Sequence, residues 1–292
     1  DRIESRGLGD VYKRQIDHVP AMEWPEGERE MTGISVEGVI DLAACPIGDA
    51  GFIASCRDQL DSDGVVTIPG FLTADAVRDL VAEAEAGRKD AFFTSSTHNV
   101  YLTPPRPELG EDHVFNRQIT SSKGCITTDQ VPAASGLHTI YDSPEFRSFL
   151  AQVVGEDALH EYADPLSSIN VHYASEGQEL GWHFDNSAFA VTLLLQAPED
   201  GGAFQYVRDL RDADNGEMNF DGVAAVLDGD ESPMTLPVTP GTLVLFRGRN
   251  SMHRVTPTIG ERTRILVVLA YNAAPGIALS EAARMTFYGR LG

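Results

Sequence analysis

The chain has 292 residues and carries 44 acidic against 22 basic side chains, a formal net charge of −22. A surface this acidic repels nucleic acid and anionic lipid headgroups, so neither is an expected partner. Hydrophobic residues at 42% and charged residues at 23% are globular values, and 27 glycines with 16 prolines signal many turns.

Three cysteines, Cys45, Cys56 and Cys125, form no CxxC pair, which reads as reduced thiols in a reducing compartment. No apolar run approaches the roughly 18 residues of a membrane span, and the N-terminus lacks the apolar region of a secretion signal. A cytoplasmic location is therefore expected. The polar, aperiodic start reads as a non-native or disordered extension over residues 1–21, ahead of one domain over 22–292 that begins near Met22 or Met31.

Along the chain, Asp63-Gly64 and Val65 to Ile68 read as a turn and a short strand. Thr73 then caps a helix whose apolar stripe runs through Val77, Leu80, Val81 and Ala84 and stops before Gly87. Ser143-Pro144-Glu145 supplies a cap, a first-turn proline and an acid for a second helix, with Phe146, Phe149, Leu150, Val153 and Val154 on one face and Gly155 as its stop. Beyond about residue 160 the period shortens: 168–173, 188–195, 203–206, 242–246 and 264–271 read as strands separated by Gly201-Gly202, Asp228-Gly229 and Pro240-Gly241. A helical front and a strand-rich back, mainly β, predict an α+β chain built on a jelly-roll or cupin-like barrel. No GxGxxG, P-loop, GxSxG or HExxH motif occurs, which removes the common nucleotide, serine-hydrolase and zincin readings.

The informative cluster is Gly181-Trp182-His183-Phe184-Asp185-Asn186. Residues two apart on a strand share a face, so His183 and Asp185 can converge on one ion while Phe184 enters the opposite layer. His253, just after the apolar run 242–246, supplies a third ligand. Two imidazoles and one carboxylate on one face of an octahedron suit non-haem Fe(II) and leave three open positions. An HxD pair alone is usually solvated polar punctuation, but here an arginine-bearing strand, Glu261-Arg262-Thr263-Arg264-Ile265, follows His253. A guanidinium buried there needs an anion. Arg262 and Arg264 share a strand face, and either can clasp a remote carboxylate in bidentate fashion.

These segments resemble the Fe(II)/2-oxoglutarate-dependent oxygenases, with their HxD…H…R pattern on a double-stranded β-helix. The resemblance covers Gly181 to Tyr206 and Pro240 to about Arg290. The tail Leu269 to Gly276, followed by Thr286-Phe287-Tyr288-Gly289-Arg290, is similar to the branch holding radical halogenases of free amino acids and their hydroxylating relatives. That resemblance implies Fe(II), 2-oxoglutarate and O₂ as cofactor and co-substrates, with ascorbate used in vitro. It implies His183, Asp185 and His253 as metal ligands and Arg264 as the 2-oxoglutarate anchor, with Arg262 as second choice. Halogenases of the branch have glycine where this chain has Asp185, so the implied outcome is hydroxylation of an unactivated C–H bond.

For substrate, Arg117 stands near where amino-acid-acting relatives place a carboxylate-binding arginine; Asn186, Tyr288 and Trp182 are further candidates, Trp182 doubling as a core aromatic. A small molecule, a free amino acid above all, is expected, with monomer and homodimer both open. His172 reads as a structural histidine, and His98 carries no spacing signal. The acidic segment 209–221 lacks the offsets of a calcium loop and reads as solvated, or as a lid across the barrel mouth. The alternatives are a cupin-like dioxygenase or isomerase without 2-oxoglutarate, a radical halogenase, and a non-catalytic binding barrel.

Overall fold

The computed structural model describes residues 16–18 and 35–292. Asp49 caps helix α1 (Ala50–Asp63) by accepting from the Phe52 N–H, and Gly64 ends it in the left-handed region at φ 70°. Only Ile53, Cys56 and Leu60 of α1 are buried, too sparse a stripe to announce a helix by periodicity. Strand β1 (Val65–Ile68) follows. Helix α2 (Ala74–Gly87) begins at the expected Thr73 cap but runs through Gly87 into a short 3₁₀ turn, because nothing there requires a left-handed residue. Helix α3 (Pro144–Val154) has the expected Ser143 cap and Gly155 stop.

Two strands the sequence concealed lie in the front half: β2 (Phe92–His98) and β3 (Ile119–Ile126). They are polar, FFTSSTH and ITSSKGCI, because β2 is an exposed edge and β3 turns polar side chains inward. Then come β4 (Ile169–Ala174), β5 (Leu180–His183), β6 (Ala190–Gln196), β7 (Phe204–Val207), β8 (Met234–Leu236), β9 (Leu243–Phe246), β10 (Met252–Val255) and β11 (Arg264–Leu269). Helix α4 (Phe220–Asp228) sits between β7 and β8, and α5 (Glu281–Tyr288) closes the chain.

The eleven strands pair antiparallel in the order β8-β7-β10-β5-β3-β4-β11-β6-β9-β1, with β2 beside β3. This curled sheet is a double-stranded β-helix: β4-β11-β6-β9 forms one wall, β5-β10-β7-β8 the other, and β3 joins them. Ile16–His18, within the stretch set aside as an extension, pairs antiparallel with Ile277–Leu279; the rest of residues 1–21 lies outside the described residues.

The β4-β11-β6-β9 wall alternates strictly. Val171, Tyr173, Ile265, Val267, Leu193, Leu195, Leu243 and Leu245 pack on helices α1 to α3 in one large apolar core. The other face, with Asn170, His172, Arg264 and Leu266, lines the barrel interior. Among the described residues no helix is long and apolar enough to cross a membrane.

Candidate metal centre and cavity

Strands β5 and β10 lie side by side with His183 directly opposite His253, and their rings stand 4.2 Å apart between centroids. Each Nδ1 faces a backbone carbonyl two residues back, Gly181 at 2.8 Å for His183 and Ser251 at 3.0 Å for His253. A ring whose Nδ1–H donates to a carbonyl presents a bare Nε2 lone pair, which is the metal-binding form. Both Nε2 atoms face the Asp185 carboxylate, at 3.7 Å from His183 and 3.5 Å from His253.

Asp185 lies just beyond the end of β5, and its N–H donates to the Gly248 carbonyl. Its Oδ2 is buried with no hydrogen-bond partner among the described residues, an arrangement that costs free energy unless a cation completes it. Gly248 makes the room: a Cβ there would stand 1.9 Å from that Oδ2. Burial alone would raise the Asp185 carboxyl, yet His253, with His183 and Arg211 beyond it, brings it below the usual carboxylate range. Burial, then the neighbouring His253, pushes His183 down to about 3, so the ring is neutral at physiological pH. An orphaned carboxylate oxygen and two imidazoles in the right tautomer fit a divalent ion such as Fe(II).

In the segment 209–221, Asp209, Asp214, Glu217 and Asp221 are exposed, as a solvated segment requires, but its Arg211 is turned inward and braces this turn. Arg211 is buried, lies over the Phe184 ring at 4.1 Å, donates to the Arg249 carbonyl at 2.9 Å and reaches the Asp185 carbonyl at 3.5 Å. Asp214 pairs with Arg249 at 2.8 Å, and Arg249 in turn donates to the Asn186 carbonyl at 3.1 Å. Phe220, opening α4, sets its ring edge-on to Tyr101, His113 and Phe115. The segment's acid count hid Arg211; a lone cation between Asp209 and Asp212 beside an apolar Leu210 was the available signal.

Arg264 opens β11 on the interior face, and burial lowers its guanidinium to about 10. It has no hydrogen-bond or ion-pair partner among the described residues. Arg262 does not share its face: it precedes the strand, is exposed and donates to the Pro198 carbonyl at 2.9 Å. The Gly260 turn delays the strand start and so breaks the expected alternation.

Two substrate expectations are also corrected. Arg117 lies outside β3, exposed, and pairs with Asp228 at the end of α4 at 2.6 Å. Trp182 points away from His183 into an apolar cluster with Phe184 and Met252, under the Arg254 guanidinium at 4.7 Å, as strand alternation demands. His172, expected as a structural histidine, faces the interior, and its ring nitrogens stand 3.1 and 3.3 Å from the Lys123 ammonium. Tyr288, in contrast, does line the interior and donates to Asn170 Oδ1 at 2.8 Å. His98 belongs to the surroundings of the His–Asp–His cluster, edge-on to His183 at 6.3 Å with its Nε2 2.7 Å from Ser121 Oγ.

Lys123, Cys125, Asn170, His172, Ala270 and Tyr288 are among the walls of a cavity of about 180 Å³. Sequence reasoning missed Lys123; once β3 is seen, the alternation Ser121, Lys123, Cys125 assigns it to the inner face.

This fold and His–Asp–His cluster are those of the Fe(II)/2-oxoglutarate-dependent oxygenases. More narrowly, the chain belongs to the Halogenase D family, whose model matches residues 116–285. Among solved structures it is similar to the epimerase SnoN from nogalamycin biosynthesis, crystallised with Fe³⁺, α-ketoglutarate and nogalamycin RO. That match has 15% identity over 76% of this chain and 84% of that one, with a TM-score of 0.54. A 2OG-Fe(II) oxygenase family member from Burkholderia pseudomallei matches at 15% identity over 78% of this chain and 94% of that one, TM-score 0.48. None of the curated proteins matches the chain.

Proposed function

We propose that the protein is an Fe(II)- and 2-oxoglutarate-dependent dioxygenase that hydroxylates an unactivated C–H bond of a small substrate, a free amino acid or similar small acid. The observation that carries this reading is the Asp185 carboxylate facing both imidazoles with one oxygen unpartnered. When bound at such a site, Fe(II) and 2-oxoglutarate supply the oxidation of a C–H bond by O₂, with 2-oxoglutarate converted to succinate and CO₂.

The chain's own residues do the rest. His183, His253 and Asp185 hold the metal, and the Gly181 and Ser251 carbonyls fix the two rings. Arg264 receives the remote carboxylate of 2-oxoglutarate, a charge-assisted contact in a buried setting. Arg211 and the Arg249–Asp214 pair keep the Asp185 turn rigid, which holds the donor set within the narrow tolerance a working site needs. Unpaired Arg264 favours this reading over a cupin-like enzyme without 2-oxoglutarate, which has no use for a buried guanidinium there.

The family's name suggests halogenation, but a halide needs a vacant protein position, and Asp185 occupies it. Mass spectra of products formed in high chloride are therefore expected to show the gain of one oxygen; a chlorine isotope pattern from the wild-type protein would remove Asp185 from the ligand set. Asp185→Gly is expected to lose activity, because halogenation also requires the substrate carbon to lie nearer halide than hydroxyl.

A further inference from the structure

Lys123 is an ammonium brought inside the barrel with no ion-pair partner among the described residues, the Asp185 charge acting on it only from beyond contact. One of its hydrogens goes to the His172 ring; no other acceptor for it occurs among the described residues. Isolated buried charge is costly, so the arrangement persists where a ligand completes it. Burial moves both groups in the same sense, Lys123 below its ordinary value and His172 well below its own, the nearby Lys123 and Arg264 charges adding to the effect on His172. His172 is thus a neutral acceptor that steers the ammonium toward the cavity.

Among the described residues, the cavity walls carry no carboxylate. Asp164, on the segment that brings in Ser167, has both oxygens occupied, Oδ1 by Ser167 Oγ and the Leu166 N–H and Oδ2 by the Leu279 N–H. What remains around Lys123 is neutral: the Tyr288–Asn170 hydroxyl–amide pair, Cys125, Ala270, Leu279 and Phe287. In the dioxygenase reading, the charges of Fe(II), Asp185, the two carboxylates of 2-oxoglutarate and Arg264 cancel, and Arg211 is engaged behind the Asp185 turn by backbone carbonyls and the Phe184 and Tyr101 rings. Lys123 is then the cation left for the substrate.

We propose that Lys123 binds the carboxylate of the substrate and that the cavity beside it takes an uncharged chain, so the substrate is a small acid or amino acid with a neutral side chain and not a basic one. This rests on the dioxygenase reading. The cavity, about 180 Å³, limits the ligand to metabolite size, well short of the volume a drug-sized molecule fills.

The test is anaerobic calorimetric titration of the Fe(II)- and 2-oxoglutarate-loaded protein with L-norleucine, L-norleucinamide and L-lysine, probes that differ in carboxylate and side-chain charge. Norleucine is expected to bind at least tenfold more tightly than the other two. Lys123→Met is expected to erase that advantage while leaving the affinity for 2-oxoglutarate unchanged; Lys123→Gln serves if the methionine variant loses its cooperative thermal transition. Lysine binding as tightly as norleucine, no dependence on the carboxylate, or no binding by any probe would each overturn the proposal. So would a Lys123→Met variant that loses 2-oxoglutarate and keeps norleucine, which would hand Lys123 to the co-substrate. If the wild-type protein does not bind 2-oxoglutarate at all, the dioxygenase reading fails first. The same probes on metal-free protein then report on Lys123 alone, and carboxylate-dependent binding abolished by Lys123→Met sustains its role.

Discussion

The two faces of the β4-β11-β6-β9 wall carry opposite chemistries on the same backbone. On the helix side, Val171, Ile265, Val267, Leu193 and Leu245 bury fully in a continuous apolar core. One residue along each strand, His172 and Arg264 face inward with polar groups that the fold leaves incompletely paired, beside an Asn170 whose amide is fully bonded. One face stores stability and the other spends some of it on ligands, so substitutions on the two should separate into changes in folding and changes in binding.

The sharpest break is expected at the metal centre. Gly248→Ala places a methyl group against Asp185 Oδ2 and within 2.9 Å of His253 Cε1. We expect it, like His253→Ala, to abolish stoichiometric Fe(II) binding by metal analysis while the thermal transition survives. Full metal content in Gly248→Ala would mean that Asp185 does not need that space.

Next come two truncations matched across the wall. Leu193→Ala on the helix side opens a cavity in packed core and is expected to cost about 2–5 kcal/mol of stability in urea unfolding, with little effect on 2-oxoglutarate affinity. Arg264→Leu on the inner face should do the reverse. Apparent affinity for 2-oxoglutarate falls by about 2–5 kcal/mol, while the ligand-free protein keeps or gains thermal stability because an unpaired buried charge has gone. A destabilised Arg264→Leu with unchanged 2-oxoglutarate binding would show that the arginine is structural.

A smaller and graded effect is expected from pH. Burial holds His183 near 3 and His172 well below its usual value in the fold. Each ring is neutral when folded and takes up a proton on unfolding, so its contribution is complete above about 6.5 and is lost as pH falls toward the folded value. Asp185, also lowered, adds the same trend below about pH 4. The Tm of metal-free protein should therefore fall between pH 7 and 4.5, and His172→Gln should flatten that slope; a flat wild-type profile would contradict the burial assigned to both rings.

The contrast also explains what was legible in the sequence. His183-Phe184-Asp185 is a local pattern with strand periodicity, and His253 follows an apolar run, so the cluster was readable without knowing the fold. Helix α3 was equally plain, because Ser143, Pro144 and Gly155 punctuate a continuous apolar stripe. The cavity was not, since Lys123, His172, Asn170 and Tyr288 come from three separate elements, β3, β4 and α5, and the polar, inward-facing β3 suppresses the very alternation that reveals a strand. Helix α1 escaped for a different reason: its buried stripe is three residues wide, and only Asp49 and Gly64 mark its ends.

Arg117 and Lys123 sharpen the comparison at its finest point, since both are cations of one short segment and either residue type suits a carboxylate. Lys123 lies within β3 and alternation turns it inward, whereas Arg117 precedes the strand and reaches outward to Asp228. That pair joins the approach to β3 to the end of α4, with both side chains well exposed, so its net worth is at most about 1 kcal/mol. We expect Arg117→Ala to leave substrate KM unchanged and to lower stability by no more than that amount, with the loss shrinking as salt is added. A rise in substrate KM matching that of Lys123→Met, with 2-oxoglutarate KM unaltered, would mean that α4 releases Arg117 when substrate arrives, and the carboxylate contact would then belong to a moving cation and not to the fixed ammonium of β3.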